Sequence, residues 1–251
     1  MAEITLGIPV YNSSPFLDEL FACLRRLDPL PGEIVLLDDA STDDSFTRLG
    51  EFSCSTDTQI PVRVLRNEHN LGIAGSYNRL AREARSEWVQ ILDADDLLVE
   101  ADFYQRVATS LDSEGDIVVT ALTSNARPLD WAARICSRLV PRRPPRWLPL
   151  LGSIATRAGV LYRRERLIEH PFPDPAYPGS DVIHLLKLRS RYVCFFLSNA
   201  HVRYRVHAHA QSSRARDYTA YRQELEQFGS MTQLAHRLDL WLREIGQRLA
   251  R

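Results

Sequence analysis

The stretch Ile91-Leu92-Asp93-Ala94-Asp95-Asp96-Leu97-Leu98 places three carboxylates within four residues, directly after the apolar run 88–92. Like charges this close repel, and each is costly to take out of water. Either a cation offsets them or they face solvent. Asp-x-Asp at a strand end is an oxygen-donor set suited to a hard divalent cation. Mg²⁺ or Mn²⁺ held this way keeps positions open for phosphate oxygens. Such an ion would relieve the repulsion and stabilise charge on a departing diphosphate. The alternative is an acidic turn at a helix start that binds nothing.

The first half of the chain supplies a frame for these carboxylates. Residues 4–10 read as a strand, and 14–27 carry helical spacing through Phe16, Leu17, Leu20, Phe21, Leu24 and Leu27, stopped by Pro29 and Pro31. Residues 34–37 form a short continuous apolar run, as in a strand buried on both faces. Ser41-Thr42-Asp43-Asp44 reads as a helix N-cap followed by acidic first-turn residues. Further strands are expected at 61–65, 88–92 and 116–120, and helices at 73–85 and 100–112. This alternation predicts an α/β domain with a mostly parallel central sheet and helices on both faces. Ligands bind such sheets beyond the C-terminal strand ends. That rule selects residues 9–12, 38–40 and 93–96, and it predicts that Asp93, Asp95 and Asp96 border a solvent-accessible cleft.

The second half is less regular. Residues 124–152 are rich in proline and arginine and read as an insertion. A strand and turn are expected at 155–168, a helix at 180–190, and strands at 192–197 and 201–206. From 217 onward, apolar residues recur at steps of mostly three and four, including Tyr218, Tyr221, Leu225 and Phe228. The expected organisation is one domain over residues 1–215 and a helical extension over 216–251. The extension packs on its own domain, forms a homodimer seam or meets a membrane surface.

With 251 residues, 45% hydrophobic and 25% charged, the chain is expected to bury a sizeable core. The start, MAEITLGIPVYN, carries an acid where a secretion signal would be basic. No apolar run approaches the ~20 residues of a membrane span. Cys23, Cys54, Cys136 and Cys194 have no metal-binding spacing and read as reduced thiols. A cytoplasmic location is expected, at most peripheral to the inner membrane face. The net charge of −1 conceals an asymmetry: residues 1–116 hold 22 acidic and 9 basic residues, and residues 117–251 hold 10 and 22. Residues 134–166 contain nine arginines and one acid. Arg142, Arg143 and Arg146 beside Trp147 would suit a phosphate-bearing acceptor or an anionic membrane surface, or form a solvated basic loop. Nucleic acid is not an expected partner, because no aromatic-rich recognition motif accompanies these arginines.

Four segments occur in order: GIPVYN (7–12), LLDDASTDDS (36–45), RNEHNLGIAGSYN (66–78) and QILDADDLL (90–98). Together they resemble the family 2 glycosyltransferases of the GT-A fold, inverting enzymes that use nucleotide-diphospho-sugars, over roughly residues 3–213. The resemblance implies that Pro9 and Tyr11 line a nucleobase pocket and that Asp39 bonds a uracil-type base. It implies that Asn70 and Gly72 form a turn beside the nucleotide. Asp93, with Ala94 next to it, matches the ribose side, and Asp95 and Asp96 the metal side. Tyr77 stands where a typical member has Arg, so a phosphate contact from that position is not expected. Pro178-Gly179-Ser180-Asp181 matches the segment carrying the general base, which makes Asp181 the base candidate, although Ser180 replaces the usual Glu. Ser180 or Asp181 read alone is an ordinary N-cap. Tyr204-Arg205-Val206-His207, followed by Ser212, resembles a late R-x-H…S segment whose His joins the metal or the diphosphate.

The implied function is metal-dependent transfer of a sugar, with UDP-sugar the first expectation for the donor. The acceptor would be a hydroxyl of a glycan, a lipid-linked species or a small molecule, in surface-glycan or glycosylated-metabolite synthesis. A nucleotidyltransferase would also place carboxylate-held metal on such a sheet, but GIPVYNSSPF lacks its Gly-rich basic loop. A degenerate sugar-nucleotide-binding protein is the non-enzymatic alternative, supported by Ser180 and Tyr77.

Overall fold

A computed structural model describes residues 3–55, 61–111, 115–125, 139–144, 157–177, 179–207, 218–228 and 233. Strands β1 (Ile4–Val10), β2 (Glu33–Asp38), β3 (Val62–Arg66) and β4 (Trp88–Ile91) are mutually parallel in the order β3-β2-β1-β4. Beyond β4 the sheet turns mixed. Strand β5 (Leu97–Leu98) follows the acidic turn, and β6 (Ile117–Ser124), β7 (Val160–Arg163) and β8 (Cys194–Tyr204) complete an eight-stranded sheet, continuing β7-β6-β8-β5. β7 runs antiparallel between β4 and β6, and β8 runs parallel to β6. Thus β1, β2, β4, β6 and β8 all end on one edge of the sheet. The expected parallel character holds for the first half, and antiparallel β7 and β5 limit it in the second.

Helices α1 (Ser14–Arg25), α2 (Ser45–Cys54), α3 (Gly72–Glu83) and α4 (Phe103–Leu111) connect the early strands. Helices α5 (Arg164–Glu169), α6 (Ser180–Arg191) and α7 (Thr219–Leu225) come later. β2 is buried at every position, and successive side chains point to opposite faces of a strand. Ile34 and Leu36 therefore join Leu17, Leu20 and Leu24 of α1, Leu49 and Phe52 of α2, and Phe103 and Val107 of α4. Val35 and Leu37 join Ala74, Tyr77 and Leu80 of α3, Leu167 of α5, and Leu185 and Leu188 of α6. Removing one such side chain, as in Leu36→Ala, costs about 2–5 kcal/mol by lost transfer energy and cavity formation.

Several sequence expectations shift. α2 begins at Ser45, and Asp44 at its N-cap makes no side-chain cap bond, so Ser41 is not the cap and Asp43 precedes the helix. Asp43 instead accepts from Ser45 N at 3.0 Å and from Ser14 N at 3.2 Å, tying the starts of two helices together. The two late strands are one strand, β8, whose register slips between Thr120 and Ala121 of its partner. β5 has no signature in the sequence; pairing with Val202 and Arg203 creates it. Tyr221 and Leu225 of α7 pack on Ile183 and Leu186 of α6. The tail positions from 234 onward lie outside the described residues. Among the described residues no helix is long and apolar enough to cross a membrane.

Candidate active site

The loops after β1 and β2 lock onto each other. Asn12 sits at φ 49° and Ala40 at φ 58°, both left-handed. Asn12 Oδ1 accepts from Thr42 N at 2.8 Å, Thr42 Oγ1 at 3.2 Å and Asp43 N at 3.3 Å, and Asn12 N donates to Ser41 Oγ at 3.0 Å. These bonds offset the cost of the unusual backbone. Pro9 pairs with Leu37 across the β1–β2 ladder, and the Tyr11 ring stands 50% exposed at the rim.

The two aspartates of the second strand end divide the work. Asp38 is fully buried and pairs with Arg66 Nε at 3.1 Å. Asp39 is 3% exposed, and its Oδ1 accepts from Leu71 N at 2.8 Å and from Asn67 Nδ2 at 2.5 Å. Asp39 Oδ2 takes no hydrogen bond among the described residues and is the acceptor that remains. Asn70 Oδ1 accepts from Gly72 N at 2.7 Å, and Gly72 has φ 72°, a conformation that favours glycine. Asn70 therefore builds the turn with its own side chain.

The acidic turn follows β4, the strand beside β1. One ligand atom each from Asp93, Asp95 and Asp96 lies within 4.8 Å of the others. Ala94 is buried between them. Asp93 Oδ1 accepts from Tyr77 OH at 2.6 Å, so the phenol fills the position where Arg is usual. Asp95 Oδ2 lies 3.0 Å from His207 Nε2. Burial pushes the Asp95 carboxyl up, the Asp93 charge adds to this, and His207 works against both. Asp96 is not at the rim: it is 2% exposed, and its Oδ1 accepts from Arg205 N at 3.2 Å. Asp93 and Asp95 are half-buried. The donor set is all carboxylate and crowded, and buried His207 Nδ1 has no hydrogen-bond partner among the described residues. These residues fit a divalent cation, which would relieve the repulsion that raises Asp95.

α6 starts at Ser180, with Gly179 at the N-cap at φ 83°. Asp181 is therefore the second helical residue, half-buried, and neither Ser180 nor Asp181 acts as the N-cap. A Cβ on Gly179 would lie 2.4 Å from Tyr221 of α7, so glycine serves both the backbone angle and the packing. Tyr177, two residues upstream, is pushed up to about 12 by burial and by the charges of Glu224 and Asp181. The loop before α6 is docked on α3: Asn78 Nδ2 donates to Phe172 O at 2.9 Å, Phe172 N donates to Asn78 Oδ1 at 2.8 Å, and the rings of Tyr77 and Phe172 meet edge-on at 5.2 Å.

The basic residues assigned to the acceptor are not all near this cleft. Arg142 Nη2 donates to Ser110 Oγ at 3.2 Å and its carbonyl accepts from Phe196 N at 2.8 Å, while Arg143 lies 5.1 Å from the Phe195 ring centre. Val118 pairs with Phe195 and Ser124 with Tyr204. The intervening strand puts these arginines about 20 Å from the acidic edge at ~3.3 Å per residue. Arg142 and Arg143 thus lie toward the end of β8 opposite the acidic turn. Arg146 and Trp147 lie outside the described residues. Sequence reading missed the structural part of Tyr77 and Arg205; the latter sits inside the R-x-H segment, which was its only signal.

Residues 5–170 match the family model described as glycosyl transferase family 2. The processive diacylglycerol beta-glycosyltransferase of Mycoplasma pneumoniae is 26% identical over 117 residues, covering 46% of this chain and 34% of its own. The chain thus spans about a third of that relative's length. S. aureus TarS 1–349 in complex with UDP-GlcNAc superposes with a TM-score of 0.67 at 20% identity, covering 89% of this chain and 64% of that one. The mannosyltransferase PcManGT of Pyrobaculum calidifontis, in complex with GDP-Man and Mn²⁺, gives 0.62 at 20% identity, covering 89% and 60%. The likeness to both structures shows a shared GT-A-type fold, and the family model, which matches well over half of the sequence in the order β1 to α5, shows that the chain belongs to glycosyl transferase family 2.

Proposed function

We propose that the chain is a metal-dependent inverting glycosyltransferase that moves a sugar from a nucleotide-diphospho-sugar to an acceptor hydroxyl. The observation that carries this reading is the cluster of Asp93, Asp95, Asp96 and His207 on the same sheet edge as the Asp39 loop. A divalent cation there would supply Lewis-acid stabilisation of the departing nucleoside diphosphate. Tyr77 and Arg205 keep the acidic turn in place, and Asp39 Oδ2 is available to accept from a base N–H. A carboxylate acceptor suits the N–H of uracil, thymine or guanine alike, and the motif resemblance makes UDP-sugar the first donor proposed. The relatives' complexes are consistent with either a UDP- or a GDP-linked sugar.

Asp181 is the proposed general base. Its carboxylate takes the acceptor hydroxyl proton as the acceptor oxygen bonds to the anomeric carbon and the bond from that carbon to the diphosphate oxygen breaks. Attack from the face opposite the leaving group inverts the configuration. The acceptor class proposed is a glycan, lipid-linked or small-molecule hydroxyl. Replacing Asp181 with Asn should lower turnover by about 10²–10⁴-fold, the range of general-base catalysis, while UDP binding stays within twofold. Normal turnover by Asp181→Asn would remove the base assignment. Metal-dependent nucleotide binding with neither transfer nor donor hydrolysis would instead favour a binding protein.

A further inference from the structure

Arg205 contacts the acidic turn from behind, through its backbone and not its carboxylates alone. Its Nε donates to the Asp95 carbonyl, and its Nη2 donates to the Ala94 carbonyl at 3.3 Å. Its own backbone N–H donates to Asp96 Oδ1 at 3.2 Å. The far side of the guanidinium is fixed to α1: Nη1 meets Glu19 Oε2 at 2.7 Å, and the guanidinium carbon lies 5.1 Å from the Phe16 ring centre. Two residues on, the His207 ring packs on the same Phe16 ring at 4.5 Å between centres and reaches Asp95 Oδ2. The Arg205 side chain is only 12% exposed.

This arrangement uses what guanidinium offers and ammonium does not. A planar fork of five donors can hold two successive carbonyls and a carboxylate at once. The contact made by Arg205 runs to two backbone carbonyls of the turn and, on its far side, to Glu19. What it adds is geometry: the spacing of Asp93, Asp95 and Asp96 is fixed against their mutual repulsion, from a helix that begins just after the Tyr11 loop.

We propose that Arg205 is the positioning residue of the cation site, acting from the Phe16–Glu19 face of α1 to preset the acidic turn without touching the metal. The inference rests on the metal reading given above. The test is Mn²⁺ binding followed by the electron paramagnetic resonance of free Mn²⁺, for wild type, Arg205→Lys and Phe16→Leu. Arg205→Lys keeps the charge and loses the fork. We expect it to weaken Mn²⁺ at least tenfold, while UDP binding in EDTA stays within twofold, a split that general destabilisation would not produce. Phe16→Leu changes no charge and should weaken Mn²⁺ about threefold; it decides the matter if Arg205→Lys does not fold. Mn²⁺ affinity unchanged in Arg205→Lys, or in Phe16→Leu where the lysine variant is unfolded, overturns the proposal. Absence of Mn²⁺ binding by wild type, with or without UDP, would overturn the metal reading itself and this inference with it.

Discussion

The loops after β1 and β2 and the turn after β4 lie side by side on one sheet edge, yet they are held in opposite ways. The first pair is stitched by bonds between Asn12 and Ser41, Thr42 and Asp43, with no like charges brought together, and the loop after β3 is closed by Asn70 on Gly72. The acidic turn instead concentrates like charges whose repulsion the surrounding protein only partly meets, through Tyr77, His207 and the far-off Arg205. A surface suited to a planar base can be complete before its ligand arrives. A cation site cannot, because carboxylates fully compensated by the protein would have little to gain from the ion.

The largest effect expected from this contrast is at Asp95. Asp95→Asn should abolish Mn²⁺ stimulation and lower turnover by about 10²–10⁴-fold, the scale of several kcal/mol of Lewis-acid stabilisation. Steady-state rates across a Mn²⁺ titration would show it. Asn12→Ala should act differently. Losing its bonds to the Ser41–Asp43 loop should cost about 1–3 kcal/mol of stability and weaken UDP, with the Mn²⁺ affinity little changed. Urea unfolding and calorimetry separate the two quantities. Equal losses of nucleotide and metal affinity in both variants would erase the contrast.

A pH experiment sharpens the comparison. Burial and the Asp93 charge raise the Asp95 carboxyl above its ordinary value. A carboxyl raised in the folded state stabilises the fold while protonated, and that contribution is lost as pH rises from the usual carboxylate value through the raised one. In EDTA, wild type should therefore lose stability relative to Asp95→Asn as pH rises above the ordinary carboxylate value of about 4. Saturating Mn²⁺ should restore it, since a ligand that binds only the folded state stabilises by mass action. A difference between the two proteins that is flat with pH would contradict the assignment. The smallest effect is expected for Tyr77→Phe. It loses one hydrogen bond to Asp93 and should weaken Mn²⁺ by severalfold, with the packing on Phe172 retained.

The sequence made the neutral side of this edge more legible than the charged side. The apolar runs of β1, β2 and β4 and the motif residues Asp39, Asn70 and Gly72 are local signals, and local hydrogen bonding turns them into loops. The acidic turn was visible as chemistry, but its support was not. Asp96 looked like a rim ligand and is buried, because Arg205, more than a hundred residues later, folds back onto it. β5 exists only because β8 pairs with it, and β7 inserts antiparallel where continued alternation suggested parallel strands. Arg142 and Arg143 belong by composition to a basic segment, but their contacts with Ser110, Phe195 and Phe196 fix them at the other end of β8. Such long-range pairings leave no periodicity to read.

The most direct test of the central claim is calorimetric titration of the wild-type chain with UDP, dTDP and GDP, each in Mn²⁺ and in EDTA. Micromolar binding of UDP in Mn²⁺ is expected, weakened at least tenfold by EDTA, with the other two nucleotides binding less tightly. UDP binding of equal strength in Mn²⁺ and EDTA, or no nucleotide binding by the folded protein, would contradict it.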